Sequence, residues 1–226
     1  MQVAVASYPG VSANEREAFT LVFERLADTE LVGVGARVGP VGGPGGGATV
    51  DRSYGDVTAP DVVLVPGGLG CARAAEDPAL RAWLCSVAPR CRWLAASSTG
   101  TVVVAAAGLL DDRAAATHWL AGDLLEQYGS AASTERIVEI GNVITCEGEI
   151  TAMHVALLVA LRLVGPIEVA RVRAELDRYG RADDASASRS WWRRRPPTPP
   201  GPRRPRNPEL LAPEVIEFEP LRIHPR

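Results

Sequence analysis

The run Val62-Val63-Leu64-Val65, closed by Pro66-Gly67-Gly68-Leu69-Gly70, constrains the fold of this chain more than any other segment. Four consecutive aliphatic side chains leave no polar face, so a strand here has to be covered on both sides. The Pro-Gly-Gly that follows stops it abruptly. The same pattern recurs. Val3 to Tyr8 is a short apolar run ended by Pro9-Gly10, Leu31 to Arg37 reads as a second strand, and Trp93 to Ser97 runs through a sharp turn into an apolar helix, Thr99 to Leu110.

Helical segments separate these runs. Ser12 or Asn14 can cap a helix reaching about Ala27, with Phe19, Val22, Phe23 and Leu26 on one face. Ala79 to Val87 is helical with Pro78 near its first turn, and Ala121 to Tyr128, Thr151 to Val164 and Ile167 to Tyr179 follow. Ala48 to Tyr54 alternates like an edge strand, and Arg136 to Ile140 and Val143 to Cys146 form a hairpin across Gly141-Asn142. Strands alternating with helices predict an α/β fold with a mostly parallel central sheet covered on both faces.

Composition divides the chain near residue 180. Residues 1–180 carry the core; residues 181–226 form an appendage. Trp191 to Arg206 holds six arginines and six prolines and cannot make a core. With Trp191 and Trp192 it reads as a solvated linker or a dimer-wrapping arm rather than an RNA contact. Residues 209–226 regain Leu210, Leu211, Val215, Ile216, Phe218, Leu221 and Ile223, and are expected to dock as an extended arm on their own domain or on a partner's.

Several chemistries are excluded. All 24 basic residues are arginine, so no Schiff-base or P-loop lysine is available. Gly42 to Gly47 is therefore a hairpin tip and not a phosphate loop. A net charge of -3 gives no reason to expect nucleic acid or an anionic membrane as a partner. Trp93 to Leu110 is uncharged, but Ser97 to Thr101 interrupts it, and strand plus buried helix explains it better than a membrane span. Cys71, Cys85, Cys91 and Cys146 lack metal-site spacing, and Met1 to Ala6 reads as a strand and not as a signal peptide. Free thiols, a cytoplasmic setting, no metal and no cofactor are the expectation.

The turn at Ser98 is the chemical focus. A residue between a buried strand and the helix behind it is presented at the carboxyl edge of a sheet, facing the helix dipole. That environment stabilises a thiolate and does much less for a hydroxyl, which needs an adjacent base. Ala96 precedes Ser97-Ser98, so no Gly-x-Ser-x-Gly elbow is present. Ser98 is open to three readings: a nucleophile activated by His118 or Glu15, a hydrogen-bond donor in a non-covalent acid/base site, or a relic in a binding pocket.

An ordered set of segments resembles the ThiJ/PfpI branch of the class I glutamine-amidotransferase-like superfamily. The pieces are Tyr8-Pro9-Gly10-Val11, Asp61 to Gly70, Ser98-Thr99-Gly100, Ala105 to Asp111, Ala116-Thr117-His118-Trp119 and Gly141 to Thr145. The likeness spans about residues 1–178 and is strongest to isonitrile hydratases and to the ligand-binding halves of AraC-type regulators. The resemblance implies a flavodoxin-like three-layer sandwich, a homodimer, and a cysteine where this chain has Ser98. It implies an acid on the first loop, Glu15 or in another register Glu17. It implies backbone donors at Gly68, Leu69 and Gly70, a hydrogen bond from Thr99, and a histidine at His118. His154 stands where the regulators and hydratases have aspartate; it reads as a packed structural histidine or as a change in pocket charge. Function is expected to be lyase or hydratase chemistry on a small molecule, through Glu15 with Ser98 and Thr99 polarising the substrate. The rival is a non-catalytic ligand-binding or regulatory protein without a DNA-binding domain.

Overall fold

A computed structural model describes residues 1–43, 46–110 and 112–185. In chain order the elements are β1 (Gln2–Ala6), α1 (Ala13–Phe23), β2 (Glu30–Gly35), β3 (Gly39–Gly43), β4 (Gly46–Val50), β5 (Arg52–Ser53), β6 (Val62–Val65), α2 (Cys71–Glu76) and α3 (Pro78–Val87). They continue with β7 (Trp93–Ser97), α4 (Gly100–Ala106), α5 (Gly122–Glu126), β8 (Ile137–Ile140), β9 (Val143–Cys146), α6 (Glu149–Val164) and α7 (Pro166–Ala185). The expected docking tail lies outside the described residues.

Seven strands form one sheet in the order β5-β2-β1-β6-β7-β9-β8, parallel throughout except for β8 against β9. The mostly parallel flavodoxin-like sheet read from the sequence is thus present. Its strands are buried on both faces because side chains alternate. Leu94 and Ala96 of β7 join the core beneath α2 to α5, whereas Ala95 joins the core beneath α1, α6 and α7. Strand order reverses between β1 and β6, so their following loops diverge and leave a crevice at the carboxyl edge.

Two local readings change. The expected edge strand from Ala48 to Tyr54 is split: β4 pairs antiparallel with β3 in a separate two-stranded sheet, and β5 pairs parallel with β2. Asp51 makes the break. Its carboxylate accepts from Gly33 N–H at 2.7 Å and its own N–H donates to Gly33 O, pinning the chain to β2. The helix expected from Ala121 starts instead as a 3-10 turn, Trp119–Ala121, capped by His118. α7 continues to Ala185, beyond the boundary expected at 180. Among the described residues, no helix is long and apolar enough to cross a membrane.

Candidate active site at the strand–helix elbow

Ser98 follows β7 with φ of 55°, in the left-handed region that costs a non-glycine residue about 1–2 kcal/mol. Three bonds hold it there. Its N–H donates to Cys146 O at 2.7 Å, its carbonyl accepts from Thr117 Oγ1 at 2.9 Å, and Thr99 Oγ1 bonds to Gly68. The sheet, the His118 loop and the β6 loop therefore converge on one turn. Gly67 packs on the same turn; a Cβ there would lie 2.9 Å from the Cβ of Ser98.

Glu15 is brought to this turn by α1. Ser12 caps the helix, accepting from Glu15 N–H at 3.3 Å. In a capping box the Glu15 carboxylate would fold back onto Ser12 N–H. Here that N–H already donates to Gly67 O at 2.8 Å, so the carboxylate is released towards the elbow. It is 7% exposed, and its Oε2 accepts from Ser97 Oγ at 2.6 Å. Burial pushes its pKa up to about 6; the Ser97 hydroxyl opposes this, the nearby Glu149 carboxylate adds to it, and the Ser98 hydroxyl also opposes it. Glu15 is the acid of this turn, whereas Glu17 acts on the half-buried Glu149.

The backbone donors sort differently from the sequence expectation. Gly68 N–H donates to Thr99 Oγ1 at 2.8 Å and Gly70 N–H to Gly10 O at 3.1 Å. Both are engaged. Leu69 N–H and Thr99 N–H have no hydrogen-bond partner among the described residues. Thr99 N–H adjoins Ser98 in the chain, and Leu69 N–H follows Gly68, whose N–H and carbonyl both bond to Thr99 Oγ1.

His118 is half-exposed, and its Nδ1 accepts from Leu120 N–H at 3.3 Å, so it caps the turn at Trp119–Ala121. Chain connectivity keeps it near, since Thr117 bonds to Ser98, but no bond joins its ring to Glu15 or Ser98. His154 is not part of this cluster. The buried stripe of α6 is Thr151, Ala152, Val155, Ala156, Val159 and Ala160, which leaves His154 on the exposed face. Partial desolvation and the cations Arg136 and Arg173 lower its pKa. A packed structural histidine does not describe it. Among the described residues, no group of three or more His, Cys, Asp or Glu side chains is placed to hold a metal ion.

Two residues near the turn were not singled out in the sequence. Ser97 is fully buried and is the direct partner of Glu15. The available signal was parity: Trp93, Ala95 and Ser97 share the face of β7 that packs in the core with α1 and α6. Cys146 is also fully buried, and burial raises its thiol far above the usual range, so it supplies no thiolate. Around the turn, three large apolar side chains face solvent: Leu69 is 76% exposed, Trp119 79% and Leu120 68%.

A doubly wound α/β sandwich with a strained turn at its carboxyl edge, a buried acid from the first loop and a glycine loop behind it defines a class of elbow-site proteins. Residues 1–161 match the DJ-1/PfpI family, and the chain belongs to that family. It is 36% identical over 117 residues to an isonitrile hydratase from Pseudomonas putida, covering 52% of this chain and 51% of that one. It is 29% identical over 106 residues to a glutathione-independent glyoxalase from Caenorhabditis elegans, covering 47% and 56%. A third relative is an HTH-type transcriptional regulator from Pseudomonas aeruginosa, 36% identical over 108 residues, 47% of this chain and 32% of that one. The chain thus spans about half the length, or less, of the curated relatives it matches. Among solved structures, a ThiJ/PfpI family protein from Pseudomonas syringae superposes with a TM-score of 0.73 at 23% identity, covering 78% of this chain and 74% of that one. DJ-1 from Schizosaccharomyces pombe does so at 0.66 and 20%, covering 78% and 98%. Those two likenesses concern the fold.

Proposed function

We infer that this chain is a hydratase-type lyase acting on a small electrophilic carbon, with Glu15 as its acid/base group. The observation that carries this reading is the buried Glu15 carboxyl, hydrogen-bonded at the elbow and pushed up to about 6. A group titrating close to neutral pH both takes and returns a proton with little loss of driving force. Hydration of an isonitrile suits one such group. Water adds through its oxygen to the terminal carbon, Glu15 takes a proton from that water, and the same proton returns to the same carbon. The product is an N-substituted formimidic acid, which tautomerises to the N-substituted formamide as its hydroxyl proton moves to nitrogen. Atoms balance as isonitrile plus water, and no second acid/base residue is required. The likeness to an isonitrile hydratase and a glyoxalase supports this class of chemistry.

Ser98 acts in this reading as a hydrogen-bond donor to the substrate, with the Leu69 and Thr99 N–H groups beside it. Leu69, Trp119 and Leu120 favour substrates with an apolar substituent. Homodimerisation, common in the family, belongs to the same reading. Formamide production from alkyl isonitriles tests it directly. The rate should rise with pH through a midpoint near 6, because the base form of Glu15 is the one that starts the reaction. Absence of turnover across a panel of alkyl and aryl isonitriles would sink it. Ser98→Ala should retain turnover but lose about 10- to 100-fold, the cost of one hydrogen bond to a developing charge. Intact-mass measurement during turnover should show no covalent adduct on the wild-type protein; an adduct on Ser98 would make it a nucleophile instead.

The likeness to a transcriptional regulator supports a second reading, in which the site binds a small molecule without converting it. Saturable binding of an isonitrile with no formamide formed at any pH would favour that reading.

A further inference from the structure

Glu15 is a buried acid, and among the described residues no cation acts to keep it charged. The groups acting on it come from every element around it. Glu149, at the start of α6, is itself a carboxylate and disfavours the ionised form. Tyr8, in the loop after β1, and Cys146, on β9, both have their pKa values raised by burial and stay neutral. Among the described residues, what favours the ionised form is two hydroxyls, Ser97 and Ser98. They are unequal. Ser98 is the elbow residue, at the turn where substrate would sit. Ser97 is the last residue of β7, fully buried, and its Oγ donates to Glu15 Oε2 at 2.6 Å. By the alternation of the strand it shares the face of Ala95, which packs in the core beneath α1 and α6.

We propose that Ser97 is the positioning residue of this site: its hydroxyl fixes the Glu15 carboxylate beside the elbow and keeps it in the ionised form that can accept a proton. The role rests on the reading of Glu15 as the acid/base group and adds the residue that makes that group usable. An apolar side chain at 97 would leave Glu15 Oε2 buried without a donor. The carboxyl would then take up a proton at a higher pH and lose a fixed orientation. Ser98 could not serve both purposes, because a hydroxyl has one proton to donate and the substrate competes for it.

The test is a titration of Glu15 in the full-length protein, followed through 13C-labelled glutamate carboxyl resonances and assigned by their loss in Glu15→Gln. In Ser97→Ala the midpoint should move up by about one pH unit or more, as loss of a hydrogen bond to a charged group implies. The acidic limb of any pH–rate profile should move with it. Ser97→Thr, which restores the hydroxyl, should return the midpoint to within a few tenths of a unit of the wild type. Thermal melts at pH 5, where the carboxyl is mostly protonated, establish that each variant is folded. A midpoint that does not rise in Ser97→Ala, or that rises equally in Ser97→Thr, overturns the assignment. The titration needs no substrate. If the midpoint behaves as stated while no isonitrile is hydrated, the hydratase reading fails and the role of Ser97 stands.

Discussion

If the proposed hydratase reading holds, Glu15→Gln should lower kcat/KM for isonitrile hydration by about 10²- to 10⁴-fold, the range contributed by a positioned general base. Glutamine keeps the size of the side chain and an oxygen to accept from Ser97, so the elbow should retain its geometry. The same substitution should not destabilise the protein at pH 8. The sign follows from linkage. Glu15 has its pKa raised from 4.5 to about 6 on folding, so between those values the folded chain holds the proton more tightly than the unfolded one. Stability therefore falls as pH rises through that window. Above it the buried charge costs about 2 kcal/mol. Glutamine carries no charge at any pH, so above pH 6 the variant should melt at or above the wild-type temperature, while below pH 4.5 the two should converge. Loss of activity with no loss of stability separates a functional carboxylate from a structural one. Near-normal turnover in Glu15→Gln would remove it from the mechanism.

Gly68→Ala should have a large effect on folding. Its φ of +156° places a new Cβ 2.2 Å from Gly10 O and 2.6 Å from Ser12 N. Both neighbours are backbone, so neither can swing aside as a long side chain would. Forced overpacking of this kind costs roughly 3 kcal/mol, which for a domain of this size lowers Tm by about 6–12 °C. The damage should reach Glu15, because the displaced Ser12 N–H is the group that Gly67 O holds. Gly42→Ala, where a Cβ meets nothing within 4 Å, is the matched control and should leave Tm unchanged to within about 2 °C. An unaltered melting curve for Gly68→Ala would show that the loop after β1 and the loop after β6 do not pack as described.

The sheet was legible because its signal is local. Val3 to Tyr8, Val62 to Val65 and Trp93 to Ser97 are apolar on both faces and end at Pro-Gly or Ser-Thr-Gly, which by itself selects a buried parallel strand. The elbow at Ser98 was legible for the same reason. Asp51 was not, since pinning it to Gly33 depends on a bond between segments 18 residues apart.

The site divides along the same line. The sequence by itself determined that a helix with acids in its first turns would follow β1, with Ser12 or Asn14 as its cap and Glu15 or Glu17 as the acid, that a hydroxyl would stand on the turn after β7, and that glycines would follow β6. The direction of each polar group was decided by tertiary structure. Ser12-Ala13-Asn14-Glu15 has the pattern of a closed capping box, and only the Gly67 carbonyl, arriving from β6, takes the N–H that would have held Glu15 back. The family resemblance implied oxyanion donors at Gly68, Leu69 and Gly70, yet the N–H groups of Gly68 and Gly70 bond to Thr99 Oγ1 and Gly10 O. His154 sits on an apolar helix but one position off its buried stripe. A polar group bonds to whichever partner the fold delivers within about 3 Å, and that partner is fixed by the packing of distant segments and not by neighbours in the chain.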